Sequence, residues 1–130
     1  MIVITIIAIV ATIAVPKLSQ MVRNANEAAT KGKVGSIRSA LTIYYADNEG
    51  FYPATLDPLM QPGSKYLTGM VPLYTFDHGN SYNVDYFSTP DYASDNGQWG
   101  YVNAPRASAW GSIWVECTHT DARGRIWTQY

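Results

Sequence analysis

The first fifteen residues, Met1 to Val15, form an uncharged apolar run that ends abruptly at Pro16 and Lys17. A helix that is apolar on all faces is normally buried, because it has no polar face to turn toward water. A chain of 130 residues makes too small a domain to enclose such a helix beside its own core. Something outside the domain must therefore cover the run, and the candidates are lipid and further copies of the same segment.

The length of the run bears on how it is covered. About 15 helical residues extend for about 22 Å, whereas a bilayer core is about 30 Å thick and requires about 20 apolar residues. A secretory signal peptide would begin with a basic region, but the first cation, Lys17, follows the apolar run. We therefore expect a few apolar residues to precede Met1 in the complete protein.

Charge is unevenly distributed, although the net charge is only −1. Residues 17–49 carry five cations and three anions, and residues 50–130 carry four cations and seven anions. A general nucleic-acid binder has a basic excess, so we predict no nucleic-acid partner. Two partners are equally open for the basic series, either phospholipid headgroups or the acidic later part of neighbouring subunits, and plain solvation is the default interpretation for any single residue. The series consists of Lys17, Arg23, Lys31, Lys33 and Arg38.

Apolar residues recur at three- and four-residue spacing from Leu18 to Tyr45, which predicts a helix with one apolar stripe. Within it, Glu27 and Lys31 are spaced for an i,i+4 ion pair. Together with the apolar run, this stretch predicts one long helix over about residues 1–49, ended by Gly50 as a left-handed cap.

Pro16 lies inside this predicted helix. Proline removes an intrahelical hydrogen bond, and the β-branched residues before it lower the helix propensity of the same stretch. We therefore expect a kink or local unwinding of the helix near Ala11 to Val15.

The rest of the chain divides into a loop region, residues 50–97, and a β-rich region, residues 98–130. Prolines and glycines punctuate the loop region, where we predict only a helical turn at Leu56–Met60 and a strand at Ser81–Phe87. The β-rich region predicts an antiparallel meander with one face packed on the helix. Its strands are Gln98–Asn103, Ser112–His119 and Arg125–Tyr130. The expected fold class is α+β, with a hydrophobic half-helix at 1–16 and a globular part at 17–130.

Few residues in the sequence suggest catalysis or metal binding. No Gly-rich phosphate loop, paired-carboxylate motif or HExxH sequence is present, so we predict no enzyme activity. Cys117 is the only cysteine and cannot form an internal disulfide. It would share one strand face with His119, and the two could supply half of a metal site. Because only His78 remains as a further nitrogen ligand, a packed thiol and a surface imidazole are the preferred interpretation.

Acidic and amide oxygens are frequent in the turn-rich segment before residue 97, and calcium prefers such ligands. Their spacing fits no established ligand pattern, so solvated turn residues are the simpler interpretation. We expect no cofactor, with calcium as the alternative. The residues concerned are Asp85, Asp91, Asp95 and Asn96.

Two blocks, Ile2–Pro16 and Ala40–Pro53, resemble the type IV pilins and the pseudopilins of type II secretion. The segment from Gly97 to Tyr130 is loosely similar to the C-terminal sheet of some bacterial pilins. Family members carry a leader that a prepilin peptidase removes before an N-methylated phenylalanine, which a glutamate follows a few positions on. Neither residue is present here, and about six residues upstream of Met1 would restore both a membrane span and the beginning of the family pattern.

The resemblance implies a pilin fold and a structural subunit of an extracellular type IV pilus. The apolar half-helix would hold the subunit in the inner membrane, from which the pilus assembly machinery would transfer it into the core of a filament of identical subunits. The resemblance also implies melting of the helix within Ala8 to Val15, just before Pro16, in the filament. The residues assigned to the filament core or membrane are Ile2, Val3, Ile4, Ile6, Ile7, Ile9, Val10, Ile13 and Val15.

Two alternatives remain open. A pseudopilin of a type II secretion system would form a short periplasmic filament that pushes secreted proteins outward, and such relatives often carry a calcium site in a comparable late loop. A membrane-anchored binding module that never polymerises belongs to a different class.

Overall fold

The computed structural model describes residues 1–69 and 71–130. An α+β arrangement is present, in which a long N-terminal helix packs on two small sheets. The helices are α1 (Ile2–Asp47) and α2 (Asp57–Met60), and a 3₁₀ turn covers Trp127–Gln129. The strands are β1 (Leu73–Thr75), β2 (Gly79–Ser81), β3 (Val84–Phe87), β4 (Trp99–Val102) and β5 (Ile113–Val115).

Helix α1 continues without interruption through Pro16. The local unwinding expected near Ala11 to Val15 is therefore wrong for the single chain, whose backbone is helical there. Proline removes only the N–H that would bond to the Thr12 carbonyl, and the turns on either side keep their own hydrogen bonds. A kink at the proline and melting inside a filament stay predictions.

The C-terminal end of α1 lies where the sequence places it. The Asn48 N–H bonds to the Tyr44 carbonyl at 3.0 Å, and the Gly50 N–H bonds to the Tyr45 carbonyl at 2.9 Å. Gly50 is left-handed as expected, with a φ of +89°, but the left-handed conformation begins one residue earlier, at Glu49, whose φ is +54°.

Burial divides α1 into two halves. Residues 1–22 are exposed, and burial begins only in the turns after Arg23. The buried helix positions follow three- and four-residue spacing, so one stripe faces the sheets. They are Glu27, Thr30, Val34, Ile37, Ala40 and Leu41. The expected apolar stripe is thus wrong in its first turns, because Leu18, Met21 and Val22 point into solvent.

The predicted helical turn is confirmed as α2, and the predicted strand at Ser81–Phe87 is split between β2 and β3. Strands β1 and β2 form an antiparallel hairpin. The other sheet has the order β3-β4-β5, in which β3 is parallel to β4 and β5 is antiparallel to β4. The expected antiparallel meander is therefore wrong in part, because its third strand comes from the loop region.

The third strand that the sequence predicts, Arg125–Tyr130, does not form. A single bridge joins Thr120 to Ile126, and the chain then turns into the 3₁₀ turn. Trp127 is fully buried against the core cluster, and a short turn delivers this large ring to the core.

Strand β5 is buried on both faces. Ile113, Val115 and Cys117 belong to the core cluster that includes Ile37 and Leu41 of α1, as the alternation predicts. Trp114 lies on the opposite face, against the rings of Phe87 and Tyr92 at centroid distances of 5.4 Å each. The connection between β3 and β4 therefore covers the face that is turned away from the helix.

Candidate functional site

The exposed half of α1 is the largest unusual surface of the chain. Each of the nine residues that sequence assigns to a filament core or membrane is between 55% and 77% exposed. Leu18, Met21 and Val22 extend this surface with exposures of 62%, 61% and 53%. In water, the single chain would therefore expose an apolar helix of about 31 Å, from Ile2 to Val22.

Hydroxyl groups within this half-helix are satisfied internally. Thr5 donates to the Met1 carbonyl at 3.2 Å, and Thr12 donates to the Ala8 carbonyl at 2.8 Å. Such bonds to the preceding turn remove the need for water at the hydroxyl groups. The half-helix thus presents side chains that are compatible with lipid or with other apolar helices.

Within the part of the chain that the structure describes, α1 is the one helix whose length and composition would allow it to cross a membrane. Its most apolar window of 18 residues has a mean hydropathy of 2.3, and none of that window is buried. A helix from the core of a soluble protein would be mostly buried instead.

At the junction between the exposed half and the globular part, an ion pair within α1 contacts the globular part through both of its members. Arg23 Nε donates to Glu27 Oε1 at 2.8 Å, and the Arg23 guanidinium lies 4.0 Å from the centre of the Phe76 ring. Glu27 Oε2 accepts a hydrogen bond from the Ala122 N–H at 2.8 Å. The expected pair of Glu27 with Lys31 is therefore wrong, because Arg23 and Ala122 take both carboxylate oxygens.

Lys31 pairs instead with Asp121, whose side chain is fully buried. The Oδ1 atom of Asp121 accepts the N–H groups of Arg123 and Arg125 at 2.8 and 2.9 Å, and its Oδ2 atom accepts the Tyr130 hydroxyl at 2.7 Å. Burial alone would raise the pKa of Asp121, but Lys31, Tyr130 and the two N–H groups outweigh it and hold the pKa well below its usual range. This carboxylate fastens the C-terminal segment to α1.

Most of the basic series serves the fold. Besides Arg23 and Lys31, the Lys33 ammonium donates to the Pro72 carbonyl at 2.8 Å, and Arg38 donates to the Ile113 carbonyl at 2.9 Å. Lys17 lies on the exposed half of the helix and has no ion-pair partner among residues 1–69 and 71–130. Four of the five basic side chains therefore make contacts within the chain, instead of forming one basic face toward headgroups or neighbouring subunits.

The four candidate calcium ligands do not form one cluster. Asp91 accepts the Ala93 N–H at 3.0 Å within its own turn, and Asn96 donates to Asp85. The Asp95 carboxylate points toward His78 and His119. The Asp85 and Asn96 side chains flank Glu116, whose carboxyl is buried and has no hydrogen-bond partner among the described residues. Burial, with Asp85 beside it, raises the pKa of Glu116 to about 7.

The pair of Cys117 and His119 is extended by two further residues. Cys117 Sγ lies 3.6 Å from His119 Nδ1, and both Asp95 and His78 adjoin them. Burial raises the pKa of the Cys117 thiol to about 11, so the thiol is protonated at neutral pH and is a poor nucleophile. The sequence does not predict that His78 joins this group, because no local pattern relates it to Cys117 and His119, about forty positions later.

Comparison of the chain with protein-family models, with curated proteins and with solved structures finds no match. The class that the fold and the exposed helix define is an α+β protein with an N-terminal helix that is long and apolar enough to span a membrane.

Proposed function

We propose that this chain is a structural subunit of an extracellular type IV pilus, held in the inner membrane through α1 before assembly and packed through the same helix in the filament. The observation that carries this proposal is the uncovered half-helix, residues 1–22, which projects from a globular part with a closed core of its own. The resemblance of Ile2–Pro16 and Ala40–Pro53 to pilins supports it.

The energy of covering this helix is large. Full burial of a Val or Ile side chain contributes about 1.5–3 kcal/mol, and each of the nine residues retains more than half of its exposure in the single chain. Removing these side chains from water therefore favours the covered state by on the order of 10 kcal/mol per subunit. That gain is comparable to the roughly 4–15 kcal/mol that association costs in lost freedom, so covering the half-helix offsets much of this cost.

Transfer from lipid to filament differs from burial out of water. Lipid tails are as apolar as the side chains that they contact, so moving α1 from a bilayer to a filament core gains little hydrophobic free energy. The filament must then be favoured by side-chain packing between helices, by contacts between globular parts, and by the assembly machinery that extracts the subunit.

The polymer would be open rather than closed. A head-to-tail contact between identical subunits generates a helical filament when its rotation does not return to the starting subunit. The hydrogen bonds and ion pair around Asp121 and Glu27 join the globular part to α1, so each subunit would present its half-helix in the same direction.

Imaging tests the proposal directly. Surface filaments sheared from cells that make the chain with its assembly machinery should contain the chain as the main component by mass spectrometry and show a regular helical repeat by electron cryomicroscopy. A pseudopilin would yield only short periplasmic filaments under native expression. A binding module would stay monomeric in detergent and give no filaments, which would refute the proposal.

A further inference from the structure

Four side chains with metal-binding atoms meet at one point on the side of the globular part. His78 lies in the turn between β1 and β2, Asp95 in the connection between β3 and β4, and Cys117 and His119 in the segment after β5. One ligand atom from each lies within 4.8 Å of all the others. Three separate segments of the chain thus converge on one small volume.

The spacing of these atoms suits a four-coordinate ion. In a tetrahedral zinc site the metal lies about 2.0–2.1 Å from nitrogen and about 2.3 Å from sulfur, so neighbouring ligand atoms are about 3.3–3.6 Å apart. Asp95 Oδ1 lies 3.1 Å from His78 Nε2 and 3.4 Å from His119 Nδ1. The separation of Cys117 Sγ from His119 Nδ1 is 3.6 Å.

The surrounding backbone is shaped for this arrangement. Gly97 has a φ of +69°, and a Cβ atom there would lie 2.3 Å from the Cβ of His78, so a larger residue would displace the imidazole. The Thr118 N–H donates to Asp95 Oδ1 at 2.9 Å and orients the carboxylate toward the histidines. Cys117 is fully buried, whereas the His119 side chain is 46% exposed, which leaves a route from solvent to the cluster.

We propose that His78, Asp95, Cys117 and His119 bind one divalent transition-metal ion of the zinc type. The set of two imidazoles, one thiolate and one carboxylate selects such an ion over calcium, which takes six to eight oxygen ligands. As the metal–sulfur bond forms, the S–H bond of Cys117 breaks and its proton passes to solvent, while both imidazoles bind through neutral nitrogen lone pairs. The thiolate and the carboxylate then balance the two charges of the ion.

The ion would cross-link the globular part. The lone cysteine cannot form an internal disulfide, and the ion would instead tie the β1–β2 turn, the β3–β4 connection and the C-terminal segment together. Closing such long loops restricts the unfolded chain and favours the folded state.

The test uses the full chain in detergent micelles with Co²⁺ and Zn²⁺ as probes. One equivalent of Co²⁺ should produce sulfur-to-metal charge-transfer absorption and the intense visible bands of four-coordinate cobalt, and Zn²⁺ should displace it. Zinc at about 100 times its Kd should raise the Tm by about 10 °C. Ca²⁺ should have neither effect.

Variants assign the ligands. His119→Asn changes a half-exposed side chain, so the metal-free Tm should stay unchanged while zinc affinity falls by more than about 100-fold, beyond the 10–100-fold that supporting residues give. Cys117→Ser should abolish the charge-transfer band. Asp91→Asn, in the same loop but outside the cluster, is the matched control and should bind zinc as the parent does. Absence of a one-to-one cobalt complex, or zinc affinity that is unchanged in His119→Asn, would overturn the proposal.

Discussion

The substitution Ile9→Asp tests the assignment of the half-helix to a filament core. Ile9 is 60% exposed in the single chain. Full burial of an isoleucine contributes about 1.5–3 kcal/mol, so covering its exposed part contributes about 1–2 kcal/mol, which the aspartate forfeits. Burying the unpaired polar group costs a further 2–7 kcal/mol or so. Lys17, the nearest cation along the helix, is eight positions away, or about 12 Å, and cannot reach the carboxylate within the same chain.

Relative to a helix in water, the combined penalty is about 3–9 kcal/mol per subunit, which corresponds to a loss of at least about a hundredfold in the equilibrium constant for covering the helix. Filament yield is measured by shearing and electron microscopy, and immunoblots of the inner membrane report whether the variant subunit is still inserted. Insertion needs its own measurement, because aspartate at the centre of a spanning helix costs about 2.5–3.5 kcal/mol.

Two controls accompany this variant. Ile9→Val keeps the apolar character and should assemble normally, and Tyr82→Asp places the same charge on a 51% exposed residue outside α1 and should leave subunit insertion normal. Filaments made by Ile9→Asp at the parental yield, with membrane levels also at the parental level, would refute the assignment of this helix to a water-free core.

Three further predictions concern the globular part. Deletion of residues 1–22 removes only exposed positions, so the remaining fragment should be a soluble monomer with the far-UV circular dichroism of a folded α+β domain. Aggregation of that fragment would contradict the division of α1 at Arg23. Asp121→Asn should lower the free energy of unfolding by about 2–4 kcal/mol in urea titrations, because it leaves Lys31 without its carboxylate. Since the pKa of Asp121 is depressed in the folded state, its contribution is present above about pH 4 and is lost as pH falls below that value, so the difference between parent and variant should shrink in acid. The pKa of Glu116 is raised to about 7 in the folded state, so its neutral form favours folding at low pH, and this contribution is lost as pH rises toward and through 7. The variant Glu116→Gln should therefore be more stable than the parent by about 1–3 kcal/mol at pH 8. At pH 4 it should be no more stable than the parent.

The features that the sequence predicts correctly depend on local patterns. The apolar run, the three- and four-residue spacing from Val34 to Leu41 and the cap at Gly50 each require only neighbouring residues, and the structure contains all three. The alternation in β5 is likewise local, and it correctly places Ile113 and Trp114 on opposite faces.

The errors involve contacts between distant parts of the chain. Lys31 has Glu27 at ideal helical spacing, yet it pairs with Asp121, ninety positions away, because the C-terminal turn brings a buried carboxylate to the helix. The parallel pairing of β3 with β4 depends on the path of the connection between them, which no local pattern encodes. The grouping of His78 with Asp95 and Cys117 has the same origin, since three loops meet only after the sheets have formed.

Burial in α1 begins only after Val22, so the helix that could span a bilayer is longer than the uncharged run at residues 1–15. The uncharged run alone extends for about 22 Å, which is shorter than the bilayer core, but the helix that none of the described residues covers extends from Ile2 to Val22, or about 31 Å. The only charged side chain in that stretch is Lys17, near its C-terminal end, where a long flexible side chain can reach the headgroups while its methylene groups stay in the apolar layer. Arg23, the next cation, lies at the first turn that contacts the globular part. The uncovered helix therefore matches the thickness of a bilayer, and the first contacts of α1 with the globular part, made by Arg23 and Glu27, begin where that thickness ends.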